Sequence, residues 1–210
     1  MKPYLVHTPG WLQSLYPKRI WRRPEQDSVY LTFDDGPIPE LTPWVLDELA
    51  RYKAKATFFV IGDNVRKHPE VLARVVAEGH ALGNHTFHHL KQPTVTDTDY
   101  LEDIDLCTQQ LAEHGVSTQL FRPPYGKLKS RLAKIIRQRG HQIVMWDVLS
   151  ADFDTAIDGQ TATKNVLNHI RPGSIVVFHD SLKAKDRLTV ALPEVLEYIK
   201  DKGWKCAELA

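Results

Sequence analysis

Short runs of apolar, β-prone residues alternate along the chain with longer stretches in which apolar positions recur every three or four residues. These are the spacings of strands and of amphipathic helices. The strand-like runs are 29–33, 56–61, 80–84, 118–121, 142–147, 174–178 and 204–208, and the helix-like ones are 41–52, 69–78, 97–113, 129–139, 160–170 and 190–201. Such alternation builds βα units around a mostly parallel sheet. The fold class is therefore α/β, and about seven strands predict a distorted (β/α) barrel. Thr96, ahead of Asp97 and Asp99, reads as a cap opening the third helix, while Gly79 and Gly203 fall where a helix end tolerates positive φ. Residues 1–26 lack this periodicity and hold the basic cluster Lys18, Arg19, Arg22 and Arg23. They predict an N-terminal extension packed on a single domain spanning 27–210.

In α/β folds the functional groups collect where strands end and loops begin. Here Asp34 and Asp35 follow the first strand, His85 and His89 the third, Arg122 to Tyr125 the fourth, Asp147 to Asp152 the fifth, and His179-Asp180 the sixth. In LTFDDGP, residues 31–37, two adjacent carboxylates end an apolar strand. Like-charge repulsion disfavours that placement unless a cation or separate roles compensate for it. NHTFHH, residues 84–89, sets His85 and His89 four apart, so that on a helical turn both imidazoles share one face. With one carboxylate they form a two-histidine, one-carboxylate metal site, and His88 falls on the wrong face to join it. If one aspartate ligates the ion, the other stays free as a general base for the water that the ion acidifies.

FRPPYG, residues 121–126, offers the guanidinium fork of Arg122 to hold a carboxylate. Its prolines stiffen a loop that would aim the Tyr125 backbone amide at a developing oxyanion. In SIVVFHD, residues 174–180, an apolar strand runs into His179, which beside a carboxylate would have a raised pKa and could protonate a leaving group. Taken singly, each motif also has a bland reading: a solvated turn, a histidine-rich loop, a surface ion pair, a core histidine. Convergence of five strand ends favours the chemical one.

TFDDG at Thr32–Gly36, H-[ST]-x-x-H at His85–His89 and R-x-P-[YFW] at Arg122, Pro124 and Tyr125 occur in the order found in the polysaccharide deacetylases. The chain resembles that family, carbohydrate esterase family 4 with its nodulation-type deacetylase homology domain, from residue 27 to residue 210. The resemblance implies a distorted barrel and a divalent metal, zinc first, with cobalt or nickel accepted. It further implies Asp34 as base, Asp35, His85 and His89 as metal ligands, Arg122 as the clamp on the base and Tyr125 as an oxyanion donor. His179 would be the general acid, oriented by Asp152. The implied reaction is hydrolysis of N-acetyl groups on an acetylated sugar or polysaccharide, chitin-oligomer or peptidoglycan-like. Phe153 stands where the family usually has Trp, Val177 where it usually has Leu, and Leu149 where many members carry Asp. Phe153, Val177 and Tyr125 would wall the acyl pocket, and the first two replacements remove volume. They predict a roomier pocket with a softer preference for acetyl over slightly larger acyl groups.

Two histidines and a carboxylate also describe non-haem iron oxygenases, a reading that leaves Asp34, Arg122 and His179 without roles. Amide hydrolysis on a small non-carbohydrate acetamide and a non-catalytic glycan-binding module are the remaining alternatives. With 42% apolar and 25% charged residues the chain is ordinary globular protein, and a net charge of +1 supplies no basic field for nucleic acid. No segment reaches membrane-spanning length, and Pro3, His7, Pro9 and Gly10 interrupt the run a signal peptide needs. As it stands the chain is expected in the cytoplasm; a trimmed leader would make it periplasmic or secreted. Cys107 and Cys206 read as separate thiols. Trp11, Trp21, Trp44 and Trp146 could stack on sugar rings, although such residues in α/β proteins are more often core.

Overall fold

Strand β1 (Ser28–Asp34) is buried at every position because it runs between two parallel neighbours. The computed structural model describes residues 4–209, so the first three residues of the predicted extension and Ala210 lie outside it. Helix α1 (Gly10–Leu15) precedes β1, followed by α2 (Thr42–Arg51), β2 (Thr57–Val60), α3 (Gly62–Lys67), α4 (Pro69–Ala77) and β3 (Ala81–Asn84). Next come α5 (Asp97–Glu113), β4 (Leu120–Phe121), α6 (Ser130–Gln138), β5 (Gln142–Ile143) and β6 (Val148–Leu149). The chain ends with α7 (Gly159–Leu167), β7 (Ile175–His179), α8 (Lys185–Asp201) and β8 (Lys205–Cys206). The strands run in the order β5-β4-β3-β2-β1-β7-β6, with β8 pairing the start of β1 and every pair parallel. They curl into an incomplete barrel flanked by helices.

Alternation along β1 divides its side chains between two faces. Val29, Leu31 and Phe33 enter the larger core, which Leu46 and Leu49 of α2 and Leu192 and Leu196 of α8 complete. Phe33 stacks on Phe58 of β2 at 5.1 Å and on Phe178 of β7 at 5.9 Å, tying the three central strands together. Tyr30, Thr32 and Asp34 point the other way, and Tyr30 joins Phe59, Val144 and Ile175 in a smaller inner cluster. The same two-residue period that builds the core thus carries Asp34 to the inner face.

Three predicted elements need correction. The run 142–147 is not one strand: β5 pairs with β4 and β6 pairs with β7, on opposite edges of the sheet. The carboxylate of Asp147, between them, accepts hydrogen bonds from the Ile175 amide (2.9 Å) and Ser174 Oγ (3.0 Å), tying the crossing chain to the start of β7. Helix α8 begins at Lys185 instead of 190 and continues through Pro193, because the buried stripe Leu188, Leu192, Val195, Leu196 and Ile199 outweighs the proline's local cost. The strand expected over 56–61 gives way at Gly62 to α3, which the periodicity did not predict. The cap on α5 does form, with the Asp99 amide donating to Thr96 Oγ1 at 3.1 Å.

Because β5 and β6 do not pair with each other, the sheet is open between them. The N-terminal segment spans that opening. Ile20 donates to the Ile143 carbonyl at 2.8 Å and accepts from the Met145 amide at 2.7 Å. Farther up, Thr8 donates to the Asp147 carbonyl at 2.9 Å, and the Leu149 amide donates to the Val6 carbonyl at 2.8 Å. These bonds satisfy backbone groups that an open edge would leave bare.

Phe33→Ala should lower stability by about 3–5 kcal/mol, since it empties the stack joining three strands. Phe33→Leu keeps most of the apolar volume and should cost less than half of that in the same urea-unfolding measurement; equal losses would show that the ring stack itself, and not the buried volume, carries the effect.

Candidate active site

Arg122, the first residue after β4, is fully buried. Its Nη1 donates to Asp34 Oδ1 and to Thr32 Oγ1, each at 2.7 Å, and its Nη2 donates to the Met145 carbonyl at 3.0 Å. The guanidinium lies over the Phe59 ring, 4.1 Å from its centroid. Thr32 and Asp34 can share one nitrogen because both occupy the inner face of β1. With Oδ1 so held, Asp34 Oδ2 faces His85 Nε2 at 3.9 Å.

Asp35 takes a left-handed conformation, φ 83°, and its Oδ1, like Asp34 Oδ2, lies 3.9 Å from His85 Nε2. Asn64 Nδ2 donates to the Asp35 carbonyl at 2.7 Å. The Gly36 amide donates to Asp180 Oδ1 at 3.0 Å, and Thr42 Oγ1 donates to Asp180 Oδ2 at 2.5 Å. Only glycine allows this approach, for a Cβ at position 36 would lie 2.0 Å from Asp180 Oδ2. Burial pushes the Asp180 carboxyl up to about 8, a rise that its hydrogen bonds from Thr42 and Gly36 moderate and Asp35 adds to. Asp180 is thus a buried prop under the turn that carries both aspartates.

His85 and His89 do converge, but not on a helical turn. Thr86 and His89 are left-handed, φ 65° and 55°, and the Asp103 carboxylate accepts from the Phe87 and His88 amides, so the segment is a bent loop. His88 turns outward to Asp103, its Nδ1 2.6 Å from Oδ1. His85 Nδ1 lies 2.8 Å from the Arg122 carbonyl oxygen, which can only accept. The proton therefore sits on Nδ1 and leaves Nε2 free as a ligand. Burial lowers the pKa of His85 to about 4, keeping the ring neutral. Asp35 is held below the ordinary carboxylate value: burial opposes this, but His179, His85 and His89 overcome it. His89 Nε2 is 3.3 Å and His85 Nε2 3.9 Å from Asp35 Oδ1. Donor atoms of the three residues all lie within 4.8 Å of one another. Two imidazole nitrogens and one carboxylate oxygen fit a divalent ion.

Across β1 and β7, His179 lies in register with Asp34. Its Nδ1 is 2.7 Å from Asp152 Oδ1, and its backbone amide donates to Asp152 Oδ2 at 2.8 Å. Arg187 Nε in turn donates to the Asp152 carbonyl at 2.6 Å. Burial pulls the His179 pKa down, but the charge and hydrogen bond of Asp152, helped by Asp35 and Asp34, carry it up to about 9. Phe153 meets the His179 ring edge-on at 5.1 Å, and Val177 is buried with Leu149 and Ala151. The Tyr125 ring, 57% exposed, lies 4.8 Å from that of His89. Of the six left-handed non-glycine residues among those described, only Lys53 lies away from this region; the others are Asp35, Thr86, His89, Tyr125 and Ala151. Backbone strain of this kind gathers at functional sites.

Asp34, Asp35, His85, His89, Arg122, Tyr125, Asp152, Phe153, Val177 and His179 are thereby brought to one end of the sheet, whereas Asp147 lies against the start of β7 and Trp21 and Trp44 pack on core clusters. Thr32, Asn64 and Arg187 were not anticipated, and Asp180, noted only as a charged residue at the end of its strand, was given no role. For Thr32 a signal existed, two residues before Asp34 on one strand, and for Asp180 its place beside His179; Asn64 and Arg187 offered none.

The sequence profile of polysaccharide deacetylases matches residues 22–144. Two peptidoglycan-N-acetylglucosamine deacetylases of Bacillus cereus are similar. One is 36% identical over 188 residues, 88% of each chain. The other is 35% identical over 178 residues, 83% of this chain but 64% of its own length, so here the chain spans under two thirds of its relative. A crystal structure of a peptidoglycan N-acetylglucosamine deacetylase, in complex with 4-naphthalen-1-yl-N-oxidanyl-benzamide, superposes with a TM-score of 0.87 at 32% identity, covering 96% of this chain and 95% of that one. Fold, motif order and overall similarity agree, and the chain belongs to the polysaccharide deacetylase family.

Proposed function

We propose that this chain hydrolyses N-acetyl groups on a glycan containing N-acetylglucosamine. The observation that carries the reading is the register of β1 against β7, which sets Asp34 opposite His179 beside the Asp35, His85 and His89 cluster. A base, an acid and an ion site within one short stretch of sheet suit hydrolysis of an unactivated amide. The two similar Bacillus cereus proteins, named for peptidoglycan N-acetylglucosamine, support a sugar as the carrier of the acetyl group.

The family depends on a divalent metal, and Asp35, His85 and His89 would hold it here, zinc first and cobalt or nickel next. When bound, such an ion acidifies water and polarises the acetyl carbonyl. Asp34, fixed at Oδ1 by Arg122, presents Oδ2 to take the water proton. The Tyr125 amide, carried on a left-handed turn, donates to the oxygen on which charge develops. His179, protonated at neutral pH through its tie to Asp152, gives its Nε2 proton to the departing amine. One proton arrives at Asp34 and one leaves His179, so no covalent intermediate is required.

Asp34→Asn should lower kcat about 10²–10⁴-fold while zinc affinity, measured by chelator competition, stays within a few-fold. Full turnover in that variant would remove the base assignment. Dialysis against a chelator should abolish turnover, and zinc, cobalt or nickel should each restore it. The acid works only when protonated, so kcat/KM falls as pH rises through the His179 pKa. An ion on Asp35 cancels that carboxylate's share of the rise and sets this alkaline limb below about 9. Asp152→Asn removes the chief raising charge and should move the limb to still lower pH; an unmoved limb assigns it to another group.

A further inference from the structure

The departing nitrogen is bonded to the acyl carbon, so in the proposed reaction the acyl substituent must lie against the apolar surface nearest the proton donor. That surface is Phe153, edge-on to His179 at 5.1 Å. Behind it lies a small cluster of Leu149, Ala151 and Val177, each almost wholly buried. Two further rings pack here, Trp146 and Tyr4, and Tyr4 comes from the opposite end of the chain. Tyr4 meets Phe153 edge-on at 5.4 Å, and its hydroxyl donates to Asp154 Oδ2 at 2.5 Å.

The path that delivers Tyr4 is an antiparallel bridge. His7 pairs with Val148, and the Leu149 amide donates to the Val6 carbonyl at 2.8 Å. Antiparallel pairing means that moving back along the extension moves forward along β6, so Tyr4 arrives level with Ala151, where β6 opens into the site loop. Burial and the Asp154 carboxylate both raise the Tyr4 pKa, so the hydroxyl stays a donor at any working pH. The ring is thus held at two points: by backbone pairing below and by Asp154 above.

We propose that Tyr4 is a specificity-determining residue, the outer wall of the acyl pocket, filling room that Phe153 and Val177 leave by being smaller than the residues usual in the family. The pocket is then narrow in spite of the two replacements, and acetyl is favoured over propionyl because the N-terminal segment closes the space a further methylene needs. This inference rests on the deacetylase reading above.

The test compares kcat/KM on N-acetyl and N-propionyl glucosamine oligomers for zinc-loaded wild type, Tyr4→Ala and Tyr4→Phe. The ratio of the two substrates is taken on one preparation, so it does not depend on the fraction folded. Wild type should prefer acetyl steeply. Tyr4→Ala should raise the propionyl-to-acetyl ratio about tenfold, the low end of what one methylene is worth in a fitted pocket. Tyr4→Phe keeps the ring and should keep the wild-type ratio, even where loss of the Asp154 bond lowers the melting temperature. An unchanged ratio in Tyr4→Ala, or a wild type already indifferent to the extra methylene, overturns the proposal while leaving the deacetylase reading intact. No hydrolysis of either substrate by wild type overturns that reading and this inference together.

Discussion

Arg122 and Asp34 meet with both charges out of water, and most of the site's geometry descends from that contact. Burying an ion pair costs desolvation on both sides, and removing one partner typically costs about 3–5 kcal/mol because the other charge is stranded. Here the guanidinium is nearly saturated, with Thr32, Asp34 and the Met145 carbonyl as acceptors and Phe59 beneath it. The pair joins the end of β1 to the loop after β4 and to the crossing chain after β5. It also divides labour between two adjacent aspartates: one oxygen of Asp34 is committed to Arg122, while the left-handed turn at Asp35 swings the next carboxylate toward His89. Even the His85 tautomer follows, since the Arg122 carbonyl accepts the hydrogen bond that keeps the proton on Nδ1.

Much of this was legible in the sequence because it is local. Alternating periods gave the central strands, and strand ends gave Asp34, His85, Arg122 and His179, since strand direction alone puts such residues at one end of the sheet. The i, i+4 spacing of His85 and His89 pointed to a common ion for the wrong geometric reason. Their convergence comes from two left-handed residues and from the Asp103 carboxylate gathering two amides, neither of which leaves a periodic trace. The run 142–147 misled because β-propensity says nothing about which edge a residue pairs with. Two halves of one apolar stretch can serve opposite edges when the turn between them is held, as Asp147 holds it.

The role of Asp180, and Tyr4 altogether, escaped notice for a different reason, which is distance along the chain. Asp180 matters through Gly36 and Thr42, 144 and 138 positions away, and Tyr4 through Asp154, 150 positions away. Reading a pocket from the residues that flank a motif assumes that the motif's neighbours build its walls. Phe153 and Val177 suggested lost volume only because the segment that packs beside them lies outside the stretch in which such motifs are compared.

The course of residues 4–8 also has a bearing on tethering. The extension climbs the edge of β6 toward the catalytic end, so Tyr4 stands at that end and not at the far end of the sheet. A binding module attached there would hold its ligand at high effective concentration beside Asp34 and His179, with linker length setting how far along a polymer each encounter reaches. The same module joined after β8, which pairs with the beginning of β1, would start from the opposite end of the strands.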